Sequence, residues 1–283
     1  TCALPILLAA GGDVYWLRGD GRMYVPATAT SVPVLRKAVA DLGIVAEGIT
    51  TPPGGEALKL RPVRVALWDD NRSPESGWIR WILERFEFRF ERIAPDAVDA
   101  RLRSRFDVVI LPSTNDAGAN VAQLRAFIEN GGTVIAIGKS SMLGVDLGLP
   151  GMDAVGPLPR SEFNIPGSLV QARVDTSHPL AFGLGEDIDL FFDESPAFRV
   201  IERSATKPSR VAWFSSPTPL RSGWAWGQSA LRGHAAALDV PLGRGRVLMF
   251  GPEITFRAQS HGAFKFLFNG IYSPSAAAAA VPR

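Results

Sequence analysis

PVRVALWDDNRSPESGWIRWILERFEFRFERI, residues 62–93, decides the fold. Val63 to Trp68 is a short, nearly continuous apolar run, the pattern of a strand covered on both faces. Ser73-Pro74 then opens a helix. Pro suits the first helical position, and Glu75 falls in the first turn, where the helix dipole favours an anion. Ile79, Ile82, Leu83 and Phe86 give this helix one apolar face. Phe88 to Ile93 fits a second strand. DVVILPS (107–113) is a third. A helix opens at Asn120 with Leu124, Phe127 and Ile128 inward, and Asn130-Gly131-Gly132 stops it. TVIAIG (133–138) is the next strand. Strand and helix alternating through short turns predict an α/β fold, a parallel sheet flanked by helices.

Beyond this core the pattern changes. Residues 142–240 are rich in Gly and Pro and carry short β-like runs: SLVQARV, DLFFDESPAFRVI, RVAWF and AAALDV. They predict an antiparallel excursion. AAALDVPLGRGRVLMFG (235–251) reads as a hairpin that returns the chain to the sheet. Its second strand, Arg246 to Phe250, leads through a polar loop to a terminal helix with Phe264, Leu267, Phe268 and Ile271 on one face. The loop carries Glu253, Arg257, Gln259 and His261. Loops at the carboxyl ends of strands are where α/β proteins build sites.

Upstream, residues 12–50 read as a small α+β unit, a hairpin followed by a helix. The hairpin turns at Arg18-Gly19-Asp20-Gly21, so the RGD string is read as a turn and not an adhesion motif. Ser31 caps the helix, and Gly43 ends it. TTPPGGEALKLRP makes residues 51–62 a linker. TCALPI resembles the translated end of a sequencing-library adapter, so residues 1–11 are read as the artefactual start of a truncated fragment. SPSAAAAAVPR, residues 273–283, reads as a disordered tail.

Composition narrows the function classes. A net charge of +2 over 283 residues, with no run of like charges, gives no nucleic-acid footprint. Leu4 to Ala10 is too short to span a membrane. The single cysteine, Cys2, can form neither a disulfide framework nor a Cys-based metal site. His178, His234 and His261 lie in no ligand spacing, so no metal site is assigned.

PVRVALWDD, ESGWIRWILERFEF, RFDVVILP, LRAFIENGGTVIAIG, PLPRSEFNIPGSL, HPLAFG, FFDESPAF, PLRSGWAWG and FGPEITFRAQSHGAFKFLFNGIY occur in this order. Together they resemble the carboxy-terminal region of large bacterial zinc carboxypeptidases of the carboxypeptidase A type. The resemblance covers roughly residues 12–272. It implies a flavodoxin-like, class I glutamine-amidotransferase-like domain over residues 63–272. It further implies a peptidase domain upstream as partner, with zinc held there and none in this chain, and a secreted or periplasmic parent.

Glutamine amidotransferases use a Cys on a strained strand-to-helix turn, activated by a His that a Glu orients. The matching turn here is AIGKSSMLG (136–144), where Ser140 or its neighbours hold the thiol position. Ordinary glutaminase chemistry is therefore not expected, and the leading reading is a non-catalytic domain acting in structure or binding. A Ser140–His261–Glu253 hydrolase is the alternative. Against it, Ser140 and Ser141 equally suit a helix cap, His261 the start of the terminal helix, and Glu253 an ion pair with Arg257. Asp69, Asp70, Ser141, Arg257 and Gln259 are the candidate binding residues. Asp69 and Asp70 are also ordinary turn residues. Asp193-Glu194 offers paired carboxylates without an identified partner set. Trp213, Trp224 and Trp226 suit either a carbohydrate or peptide surface, as in a binding or oligomerisation module, or buried packing.

Overall fold

A computed structural model describes residues 3–18, 21–71, 73–114, 116–200 and 206–282. The chain runs α1 (Leu4–Ala9), β1 (Tyr15–Leu17), β2 (Met23–Tyr24), α2 (Ser31–Leu42) and β3 (Glu56–Lys59). The α/β core follows as β4 (Val65–Trp68), α3 (Pro74–Arg85), β5 (Glu91–Ile93), α4 (Leu102–Arg105), β6 (Val108–Leu111), α5 (Val121–Glu129) and β7 (Thr133–Ile137). Then come α6 (Leu143–Asp146), β8 (Gly151–Asp153), β9 (Pro166–Val174), β10 (Asp187–Asp193), β11 (Phe198–Val200), β12 (Ser209–Trp213) and β13 (Leu220–Ser222). The chain closes with β14 (Ala235–Leu242), β15 (Gly245–Phe250), α7 (Phe264–Tyr272) and β16 (Ala277–Ala280).

The parallel strands lie in the order β5-β4-β6-β7-β15. This is the flavodoxin-like 2-1-3-4-5 order, with its switch point between β4 and β6. Beyond β15 the sheet continues antiparallel through β14, β12, β9 and β10, the expected excursion.

The central strands β4, β6 and β7 are buried on both faces, and alternate residues feed opposite cores. Val65, Leu67, Val108, Ile110, Ile135 and Leu248 join α3 and α7 on one side. Ala66, Trp68, Val109, Leu111, Val134 and Val247 join α5 on the other. The Ser73 hydroxyl caps α3 by accepting from Ser76 N–H at 3.3 Å, and Pro74 takes the first turn. On α7, Phe268 stacks on Phe88 and meets Phe86 edge-on, which joins the last helix to the first βα unit.

The ends of the chain differ from expectation. Within the stretch read as a linker, β3 pairs with β1. The alanine tail, read as frayed, forms β16 and pairs antiparallel with β3. Leu4, Leu7 and Leu8 of α1 are buried in the main core. Composition describes a segment alone, whereas an open strand edge takes whatever backbone reaches it. Gly19 and Asp20 of the RGD string lie outside the described residues. No helix among the described residues is long and apolar enough to cross a membrane.

Asn269 fastens α7 to the segment below it. It is fully buried, and its amide donates to Leu180 O at 2.9 Å and Phe182 O at 3.0 Å. Phe182 in turn meets Trp16 edge-on at 5.3 Å, so one amide links the core to the amino-terminal sheet. Asn269→Ala strips two buried carbonyls of their donor. It is expected to lower the unfolding free energy by about 2–3 kcal/mol in urea titration. A loss below about 0.5 kcal/mol would mean the link is not needed.

Candidate functional site

The carboxyl ends of β4, β6, β7 and β15 converge on one edge of the sheet. After β7 the chain turns through Gly138, whose φ is +58°. This residue holds the left-handed elbow position. Ser140 lies two residues further on, inside the 3-10 turn that follows.

Gly138 is tightly enclosed. A Cβ there would lie 2.4 Å from Ser113 Oγ and 3.3 Å from Glu253 Cγ. Ser113, at the exit of β6, accepts Lys139 N–H at 3.1 Å and hydrogen-bonds the Glu253 carboxyl. The space a nucleophile would fill from the elbow is thus occupied by a Ser–Glu pair from two other strands.

Glu253 is the electrostatic centre of this edge. Its carboxyl is pushed up to about 7 from the usual 4.5, first by burial and then by the nearby charges of Glu75 and Asp193. The Ser113 hydrogen bond and the Lys139 ammonium oppose that rise. At neutral pH both protonation states of Glu253 are populated, as an acid–base or proton-sharing group requires.

Glu253 lies at this edge, but not with the neighbours expected of it. Ser140 is buried, and its hydroxyl donates to Pro112 O and accepts Thr114 N–H at 3.1 Å. It stitches the β7 turn to the β6 exit. Ser141 is buried too, with its hydroxyl on Gly138 O. His261 is exposed, its ring 5.2 Å from Phe264, and among the described residues no hydrogen bond joins it to Ser140 or Glu253. The three members of the considered triad are not assembled.

The remaining candidates divide. Asp69 is buried. One oxygen accepts from Asn71 N–H and Ser76 Oγ, and the other pairs with Arg92 at 3.2 Å. Asp70 accepts Ser73 N–H at 2.9 Å. Both therefore shape the β4–α3 turn. Arg257 and Gln259 are exposed. Arg257 does not pair with Glu253; its guanidinium lies 5.2 Å from the Phe256 ring. Phe256 itself is clamped between Phe191, stacked at 3.6 Å, and Trp78 of α3.

Ser113, Gly138 and Lys139 were missed as site residues. Each stood in a strand or turn already identified, but their convergence is tertiary. Beside them opens a cleft of about 280 Å³ lined by Thr114, Lys139, Met142, Asp146, Asp153 and Glu194, among others. Asp193-Glu194 therefore borders this edge, and Glu194 turns with φ +45° and pairs with Arg160. A larger cleft, about 410 Å³, lies against Trp213 and Arg210. Of the two arginines at its wall, Arg173 is paired with Glu186 and Asp187, and Arg210 lies 4.7 Å from the Trp213 ring. Among the described residues no cluster of His, Cys, Asp and Glu could hold a metal ion.

No protein-family model matches the chain, and no curated protein matches it. Solved structures do. PurLQS from Thermotoga maritima is 16% identical, with a TM-score of 0.50, 74% of this chain covered and 97% of that chain. A protein assigned as a GMP synthase subunit, from Thermoplasma acidophilum, is 12% identical, with a TM-score of 0.51, 75% of this chain covered and 93% of that chain. A glutamine amidotransferase from Thermotoga maritima is 12% identical, with a TM-score of 0.46, 74% of this chain covered and 83% of that chain. At these identities the first two likenesses are ones of fold: the chain has a class I glutamine-amidotransferase-like α/β architecture.

Two outcomes follow from the geometry. Because folding raises the Glu253 pKa, that group stabilises the fold most below its unfolded value of about 4.5. The contribution is lost as pH rises through about 7. Glu253→Gln is expected to remove this slope, gaining about 2–3 kcal/mol over wild type at pH 8 and almost nothing at pH 4 in denaturation series. Gly138→Ala is expected to cost about 2–4 kcal/mol, from the left-handed turn and the Ser113 contact together. Adding Ser113→Gly should restore the part due to the contact; no restoration would place the cost elsewhere.

Proposed function

We propose that this chain is a non-catalytic glutamine-amidotransferase-like module that acts by binding. The observation that carries this is Gly138. The elbow residue has no side chain, and Ser113 and Glu253 fill the volume any side chain would need. Acyl transfer needs an activated nucleophile on that turn with a base in reach. Ser140 is an unsuitable substitute, because its hydroxyl is buried and donates to a backbone carbonyl.

The collinear strings of the sequence support a setting for such a module. It would accompany the peptidase domain of a secreted or periplasmic zinc carboxypeptidase, with proteolysis carried by that domain. Its cleft beside Lys139 and Glu194 would face a substrate or a partner domain. Reading the gene upstream of Thr1 tests the setting. An H-x-x-E pair with a distant third His is expected, and its absence would remove the peptidase assignment.

The purified chain is expected to release no ammonia from glutamine above a buffer blank. Ser140→Ala should leave that result unchanged while lowering stability by about 1–3 kcal/mol, the cost of freeing buried partners. Glutamine hydrolysis that Ser140→Ala abolishes would overturn the proposal.

A further inference from the structure

Trp224 and Trp226 are 53% and 56% exposed, while Ala225 between them packs on the core. Large exposed indoles are costly unless they meet something. These two are also held still. Gly223 (φ +97°) and Gly227 (φ +68°) bracket the segment. A Cβ at Gly227 would lie 1.8 Å from Glu162 O, so the chain there is pressed against the 160–165 loop. Ser168 Oγ accepts Trp224 N–H at 2.8 Å and donates to Trp224 O at 2.6 Å. Trp226 exchanges both backbone hydrogen bonds with Asn164. Its indole N–H is already used, donating to Ser161 O at 2.8 Å. What Trp226 offers to solvent is therefore its ring face.

The surroundings specify what such faces suit. Arg160, next to Ser161, pairs with Glu194 at 2.6 Å. Arg221, three residues before Trp224, pairs with Asp189 at 3.5 Å. All four side chains are substantially exposed. Trp226 thus docks on the loop that carries Arg160, and Trp224 follows the strand that carries Arg221; each of the two ion pairs offers a planar donor fork and a carboxylate acceptor of zero summed charge. A polyanion or a polycation gains nothing from this border. A neutral molecule with apolar ring faces and hydroxyls around its rim is matched on every count. Glu194 also lines the 280 Å³ cleft at the carboxyl edge. The surface therefore runs from that cleft through Glu194 and Arg160 to Trp226 and Trp224, which suits an extended ligand.

We propose that Trp224 and Trp226 form a preorganised platform that binds a neutral oligosaccharide by stacking, with Arg160–Glu194 and Arg221–Asp189 taking its hydroxyls. This deepens the binding role proposed above, yet stands apart from the inert elbow.

The test titrates the full chain with cellohexaose, xylohexaose, mannohexaose and chitohexaose, read by tryptophan fluorescence and calorimetry. At least one sugar is expected to bind, and Trp224→Ala and Trp226→Ala should each weaken it tenfold or more. Trp81→Ala, which removes the exposed indole of α3, is the control and should leave affinity unchanged. Circular dichroism and urea midpoints near wild type would show that the variants fold. The proposal is overturned if none of the four sugars binds at millimolar concentration, or if Trp81→Ala weakens binding equally. It is also overturned if only a proline-rich peptide binds. The ammonia assay on the same sample keeps the two readings separate: a silent elbow without sugar binding removes the platform alone.

Discussion

β15 is the strand on which both halves of the molecule depend. It pairs parallel with β7 and antiparallel with β14, so within the sheet it joins the α/β core to the excursion. That junction leaves no room for side chains at its ends. A Cβ on Gly245 would lie 2.1 Å from Gly132 O, and one on Gly251 1.9 Å from Pro196 O. Neither neighbour is a movable side-chain tip; both are backbone. The second approach has a chemical consequence. Pinning Gly251 against Pro196 brings the chain after β15 alongside the turn after β10, where Glu253 N–H bonds Phe191 O at 2.9 Å. Glu253 is thereby set near Asp193 and partly out of water, and its carboxyl pKa rises to about 7. The proton affinity of this edge is thus a product of sheet topology.

The same close packing explains why the elbow is filled. Three loops meet there, after β6, β7 and β15, and side chains stitch them together. Ser140 binds the β6 exit, Ser113 binds Lys139 N–H, and Glu253 binds Ser113. In a nucleophile elbow, strain presents a reactive side chain to substrate. Here the left-handed residue is glycine, so the turn carries little strain and presents nothing. The edge keeps the geometry of its fold while its polar groups are spent on one another.

The βαβ core was legible because its signals are local. Val63 to Trp68, the Ser73-Pro74 cap and the Ile79/Ile82/Leu83 face each declare themselves within one turn or strand. The return hairpin at 235–251 was legible for the same reason. The chain ends were not. An alanine run has no pattern to show that it will pair with β3, and Leu4, Leu7 and Leu8 reveal burial only once a surface exists to cover them. At the candidate site, the loops named from sequence do meet, but the side chains they bring together are not the expected ones. Ser140 stood out because it resembles a nucleophile, yet a hydroxyl's role depends on where it points. Nothing in residues 138–140 reveals that Ser113, some 25 residues earlier, closes over the turn. Trp224 and Trp226 carried a real signal in W-A-W between glycines, but exposure cannot be read from spacing.

The distribution of backbone strain bears on whether this edge still has a use. Among the described residues, left-handed non-glycine positions are Asn71, Glu87, Glu194, Arg257 and Ala258. Glu87 follows α3, whereas the others follow β4, β10 and β15 at the carboxyl edge. Asn tolerates this region well, but Glu, Arg and Ala do so at a cost of order 1–3 kcal/mol each. A turn kept only to reverse the chain would be relieved by glycine, which the chain uses freely elsewhere. Strain retained at Glu194 fixes the carboxylate that links the cleft to Arg160. Strain at Arg257 and Ala258 holds the loop that carries Phe256 against Phe191 and Trp78. Stability spent on holding a surface in one shape is better explained by recognition than by packing, because packing alone would select the relaxed turn. The strained positions of this edge, Glu194, Arg257 and Ala258, accord in this way with the binding role proposed above.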